Sequence, residues 1–187
     1  MKRLRVPHGW LRLVLLAAML TAQLWADMPV HAQAGPSEYD LKAAFVYQFL
    51  AYVTWPASKP PVGPFVIGVV GANELAGNLA ALGAEAGPSA RPIEIRRLSV
   101  DDDPRDLHVL FVAADRSAEA DALISAAADA AVLTVTESLP RHADAMINFE
   151  IVENRVRFEV ALGPVRASGL EVSARMLGVA LRVVEAP

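Results

Sequence analysis

Residues Met146 to Val160 read MINFEIVENRVRFEV, and this stretch constrains the fold more than any other part of the chain. Folded at Glu153-Asn154, it sets Ile151 opposite Val156, Phe149 opposite Phe158 and Ile147 opposite Val160, all on one face. Glu150 falls opposite Arg157 on the other face. Successive strand residues point to opposite sides, so a slip of one residue would turn the whole apolar set toward water. The pattern predicts an antiparallel hairpin with one face in a core. Glu153 is a poor residue for a two-residue turn with positive φ, and a four-residue loop would keep the same pairing.

The rest of the chain alternates between strand and helix signals. Ser37-Glu-Tyr-Asp40 resembles a capping box. It opens a helix that is apolar almost all round and that should end near Thr54, because Pro56 drives Trp55 out of helical geometry. Phe65 to Val70 and Leu107 to Ala113 are apolar runs suited to strands covered on both faces. Ile93 to Arg96 alternates like a half-exposed strand, and Val132 to Thr136 adds another. Asn73 is placed to cap a helix through about Leu82, Asp115 or Ser117 to cap an Ala-rich helix ending near Ala128, and Ser173 to cap a last one. These signals predict an α/β fold: a single compact domain with a mixed sheet of about six strands flanked by helices.

The amino terminus has the layout of a secretory signal peptide. Lys2, Arg3, Arg5 and Arg12 precede an apolar stretch from Leu13 to Leu20, and Ala32-Gln33-Ala34 offers a cleavage site. Thr21, Gln23 and Asp27 interrupt the run short of the roughly 20 apolar residues a membrane span needs. The expectation is a signal peptide over residues 1–34, cut near Ala34, and a periplasmic domain over residues 35–187. Residues 1–34 hold four of the seventeen Lys/Arg and one of the twenty-one acids, so thirteen positive and twenty negative side chains remain. Such an acidic domain makes a poor nucleic-acid binder. The chain has no cysteine, so neither disulfides nor thiol chemistry are open to it.

A search for catalytic chemistry finds little. Gly68-Val69-Val70-Gly71 lies between a strand and a helix but lacks the full dinucleotide spacing. Ser138, His142 and Asp144 are triad residue types in one short loop, with no nucleophile elbow. His108 falls in a buried strand pattern. Asp101, Asp102 and Asp103 lack the spacing and the glycine of a calcium loop. The expectation is therefore no enzyme, no cofactor and no metal. Tyr47 and Trp55 are the aromatics best suited to a surface role, since Tyr and Trp are enriched at interfaces, although core packing is an equal use for both.

LKAAFVYQFLAYVTWP, VIGVVG and INFEIVENRVRFEVALGPVRASGLEVSARMLGVA together resemble, in order, the YfiR-like family of exported proteins. The resemblance implies a periplasmic, non-enzymatic regulator that binds the periplasmic sensory part of an inner-membrane diguanylate cyclase and inhibits it, lowering cyclic di-GMP and so affecting biofilm formation. It also implies an outer-membrane lipoprotein that sequesters the regulator. A homodimer is a further expectation. The Trp55-Pro56 landmark either locks the helix to the sheet or, with Tyr47, forms the partner-binding surface. The chain departs from the family pattern in having no Cys, Ala161 in place of a frequent Asn, and Pro164-Val165 in place of an Ala-Ala pair. The alternative function is a periplasmic module that senses a small ligand at the carboxyl ends of its strands.

Overall fold

The computed structural model describes residues 35–59, 62–87, 90–137 and 140–185. The expected signal peptide lies outside them. Helix α1 (Glu38–Tyr52) begins at Ser37 with both halves of the capping box in place: the Asp40 amide donates to the Ser37 hydroxyl, and the Ser37 amide donates to the Asp40 carboxylate. It ends at Tyr52, two residues earlier than expected. Val53–Thr54 (β1) is extended instead, because two β-branched residues before a Trp-Pro pair favour strand geometry and a partner is available.

The chain continues through β2 (Phe65–Val70), α2 (Asn73–Glu85), β3 (Ile93–Arg97), β4 (Val109–Val112), a 3-10 turn (Ala114–Glu119), α3 (Asp121–Asp129) and β5 (Leu133–Thr136). It ends with β6 (Ile147–Val152), β7 (Arg155–Ala161), α4 (Leu162–Ala167), β8 (Glu171–Val172), α5 (Ala174–Val179) and β9 (Arg182–Val184). Three cap assignments meet different outcomes. Ser173 caps α5 through the Met176 amide. Asn73 is the first residue of α2 rather than its cap, since Gly71 (φ 85°) turns the chain early and Ala72 takes the flanking position. Asp115 and Ser117 fall in the 3-10 turn, and Ala120 precedes α3 without a side-chain cap.

Seven strands form one mixed sheet in the order β3-β2-β4-β5-β6-β7-β9. The first five run parallel, β7 is antiparallel to β6, and β9 is parallel to β7. β1 pairs with β8 in a separate antiparallel ribbon that ties the end of α1 to the carboxyl-terminal segment. The β6–β7 hairpin has the register read from the sequence, down to Ile147 opposite Val160 and Glu150 opposite Arg157. Its turn is the two-residue kind, with Glu153 at φ 50° and Asn154 at φ 59°.

Helices α1 and α2 cover one face, and α3 covers part of the other. On the first face Phe49 sits 5.0 Å from Phe158 and Phe45 5.4 Å from it, both edge-on. Phe49, Phe111 and Phe158 are fully buried, each worth about 1.5–3 kcal/mol of transfer free energy. Ile151 is the exception: it projects past the end of β5 and is 51% exposed. On the second face, Val66, Val70, Leu110 and Val112 pack under Leu123, Ile124 and Ala127 of α3. Beyond α3 that face is polar. Glu159 pairs with Arg141 and Arg182, and Glu150 pairs with Arg182 rather than with Arg157 across the hairpin, because the β9 edge brings a guanidinium between the two acids.

Candidate functional site

The amino ends of the parallel strands gather an aromatic and basic cluster. Trp55 leaves β1, and its indole N–H donates to the His108 carbonyl at 3.1 Å. Its ring lies 5.5 Å from Phe65 and 5.8 Å from His108. The Arg91 guanidinium stacks 3.7 Å over Phe65, close enough for a cation–π contact. Arg91 also donates to the Gly63 carbonyl at 2.7 Å. Pro56 packs beside Gly169, where a Cβ would stand 3.9 Å from the proline ring. Gly169 has φ 72°, a conformation that only glycine adopts freely. Tyr47, on the exposed side of α1, lines a groove of about 150 Å³ with Leu50, Ala51, Phe65, Arg91 and Ile93. The fold thus brings both Tyr47 and Trp55 beside Phe65, with Pro56 next along the chain. All three are partly buried.

His108 is locked in one state. Its Nδ1 accepts the Val66 amide at 3.1 Å, so the neutral ring carries its proton on Nε2. The Arg91 approach to Nε2 at 3.3 Å is then a contact between two donors and not a hydrogen bond. Burial, with Arg91 and Lys59 nearby, pushes the imidazole pKa down to about 4. Lys59 itself reaches back to donate to the carbonyls of Arg105 (2.6 Å) and Leu107 (2.8 Å).

The carboxyl ends are built differently. Glu137 follows β5, accepts the Tyr39 hydroxyl at 3.0 Å and the Ala114 amide at 3.1 Å, and pairs with Lys42. Lys42 also pairs with Glu38 one turn earlier. Lys42 is only 3% exposed. Tyr39, packed by burial against the Glu137 charge, has its pKa pushed up to about 12. The first turns of α1 therefore fill the place where a ligand pocket at the carboxyl strand ends was expected. Sequence reasoning missed this cluster, although Lys42 falls in helical phase with the buried Val46 and Phe49. A lysine in an apolar stripe implies a buried acid, because Lys is rarely interior without a partner.

The residues weighed for catalysis do not converge. His142 Nδ1 accepts the Asp144 amide, while the Asp144 carboxylate accepts the Ser125 hydroxyl at 2.5 Å. Ser138 lies outside the described residues. Gly71 is a packing residue: a Cβ there would meet Ala113 and Arg116 within 3 Å, and a Cβ at Gly68 would meet Leu98 and Leu107 at 2.6 Å. Asp103 is engaged by Arg105 and Asp102 by the Ser99 amide. Among the described residues, no group of three or more His, Cys, Asp or Glu is placed to hold a metal. No described helix is long and apolar enough to cross a membrane.

The stretches that first suggested a family are in mutual contact. Phe45 of the first meets Phe149 and Phe158 of the last, and Pro56 meets Gly169. The signature of the YfiR/HmsC-like family matches residues 39–181, from the first turn of α1 to just beyond α5. The chain belongs to the YfiR/HmsC-like family. This is a periplasmic family of regulators, not of catalysts, linked to diguanylate cyclase signalling and to interaction with a membrane signalling protein. No curated protein matches the chain. Its departures from the family pattern lie inside: Ala161, Pro164 and Val165 are all buried, so they alter packing after β7 rather than an exposed surface.

Proposed function

We propose that the chain is exported, loses residues 1–34, and binds the periplasmic sensory part of an inner-membrane diguanylate cyclase, holding it inactive. The observation that carries this reading is the family match across nearly all of the described fold. The binding surface we assign is the Tyr47–Trp55–Pro56 end, with Phe65 and Arg91. Tyr, Trp and Arg are the side chains that most often dominate binding energy at protein interfaces. Because the Trp55 N–H is already used inside, a partner would meet the ring, not the polar handle. Inhibition follows if the partner's inactive state binds better than its active state, which shifts the population. An outer-membrane lipoprotein competing for the regulator would reverse it.

Deleting the gene should raise cyclic di-GMP only while the cognate cyclase is present. N-terminal sequencing of the periplasmic protein should read from Gly35 or close to it. Unchanged cyclic di-GMP together with no periplasmic partner on pull-down would sink the inhibitor reading. One observation favours a second reading, a ligand-sensing module: a cavity of about 500 Å³ opens at the amino strand ends, beside the aromatic cluster.

A further inference from the structure

The cavity is walled by Val62, Pro64, Val66 and Ala130 on its apolar side, and His108 forms part of its lining. Lys59, Arg96 and Arg105 supply cationic groups, and Glu94 and Asp106 acidic ones. The three cations are not equivalent. Arg96 is paired with Glu94, and Arg105 with Asp103. Among the described residues, Lys59 has no carboxylate within ion-pair distance. Its ammonium is held by two neutral carbonyls. An ammonium has three donors, so one N–H remains after those two bonds. Burial lowers its pKa, and the Asp106 charge offsets this only in part. A partly desolvated cation with a spare donor and neutral partners gains more from an incoming anion than an ion-paired one, because part of its solvation has already been given up.

We propose that this cavity is a binding site for a small organic carboxylate, with the acid group on Lys59 and the body against Val62, Pro64 and Val66. Its volume falls within the range of pockets that enclose small ligands. Arg105 is largely exposed and can turn toward the same acid group. The site has no lining residue in common with the groove beside Tyr47, but the His108 ring of the one stands 5.2 Å from the Phe65 ring of the other. His108 lines the cavity and its carbonyl holds the Trp55 indole, while Lys59 lies four residues beyond Trp55. An occupied site would thus stiffen the Trp55–Lys59 segment. The assignment names a ligand class for the sensing reading and rests on it, and it is independent of the cyclase.

Titration calorimetry of the purified protein with benzoate, inorganic phosphate and benzylammonium tests it. Benzoate should bind saturably and better than phosphate, and benzylammonium should not bind. Lys59→Met should weaken benzoate roughly tenfold or more, the worth of one charge-assisted hydrogen bond. The exposed Arg105→Gln, which leaves the fold untouched, should weaken it less. The Trp55 indole N–H resonance, assigned by its loss in Trp55→Phe, should shift on benzoate addition in the wild type. Phosphate binding equal to benzoate would mean a bare oxyanion site and overturn the organic-acid assignment. Benzylammonium binding alone would overturn the carboxylate assignment and leave a ligand module. No saturable binding by any of the three at millimolar concentration would remove the sensing reading as well.

Discussion

The two ends of one sheet use charge in opposite ways. At the carboxyl ends, Lys42, Glu137 and Tyr39 satisfy one another inside the protein, and the first turns of α1 seal them from water. At the amino ends, Lys59 rests on neutral carbonyls, Arg91 stacks on a ring, and aromatics lie half exposed beside a groove and a cavity. A closed ion pair contributes geometry: it ties α1 to the end of β5 and leaves little to offer a partner. Lys59, held by neutral carbonyls, contributes the reverse, since a charged partner would still add to its bonds. The contrast agrees with the proposal that one end serves structure and the other recognition.

The largest effect should come from the sealed end. Glu137→Ala leaves the buried Lys42 ammonium only the half-exposed Glu38 and takes the acceptor from the Tyr39 hydroxyl and the Ala114 amide, and should cost about 3 kcal/mol in denaturant melts. Replacing both partners, Lys42→Met with Glu137→Leu, should recover most of that loss. A small cost for the single change would mean the seal is open to water and the contrast is wrong. Next comes acid. His108 is held neutral when folded, with a pKa lowered from 6.5 to about 4. In the unfolded chain it gains a proton below pH 6.5, so stability falls as the pH drops from 6.5 toward 4, and this contribution is lost below that. Ring resonances should show His108 still neutral at pH 5. A charged ring at that pH would contradict the Val66 hydrogen bond.

Trp55→Phe should cost about 1 kcal/mol, the net worth of the indole hydrogen bond to His108. A much larger loss would make Trp55 a core residue and remove it from the recognition end. The smallest effect belongs to the hairpin turn. Glu153→Asn should stabilise by roughly 0.5 kcal/mol, because Asn tolerates positive φ better than Glu. No gain would mean that the side chain of Glu153 has a role at that tip.

What the sequence made legible is local. The hairpin register, the capping box and the buried strands each depend on residues a short distance apart, whose periodicity or pairing is written in order. The α1 end was misplaced because Val53-Thr54 become a strand only when Glu171-Val172, far along the chain, come alongside. The Lys42–Glu137 pair joins residues 95 apart, and no pattern within either segment names the other. At the candidate site, Trp55 and Pro56 stood out by composition. Arg91, His108 and Lys59 did not, since what matters in each is a neighbour from another loop.

The most direct test of the contrast is binding of the proposed partner cyclase's purified periplasmic domain by two charge-insertion variants, one at each end. Ala51→Glu puts a carboxylate beside Tyr47 on the exposed side of α1, and Ile151→Glu puts one at the exposed hairpin tip beyond the carboxyl ends. Both sites are exposed, so melting temperatures should stay near wild type. Ala51→Glu should weaken binding by about tenfold or more, as a charge forced into an interface core does, and Ile151→Glu should leave it unchanged. Wild-type affinity in Ala51→Glu together with lost binding in Ile151→Glu would contradict the account and place recognition at the other end of the sheet.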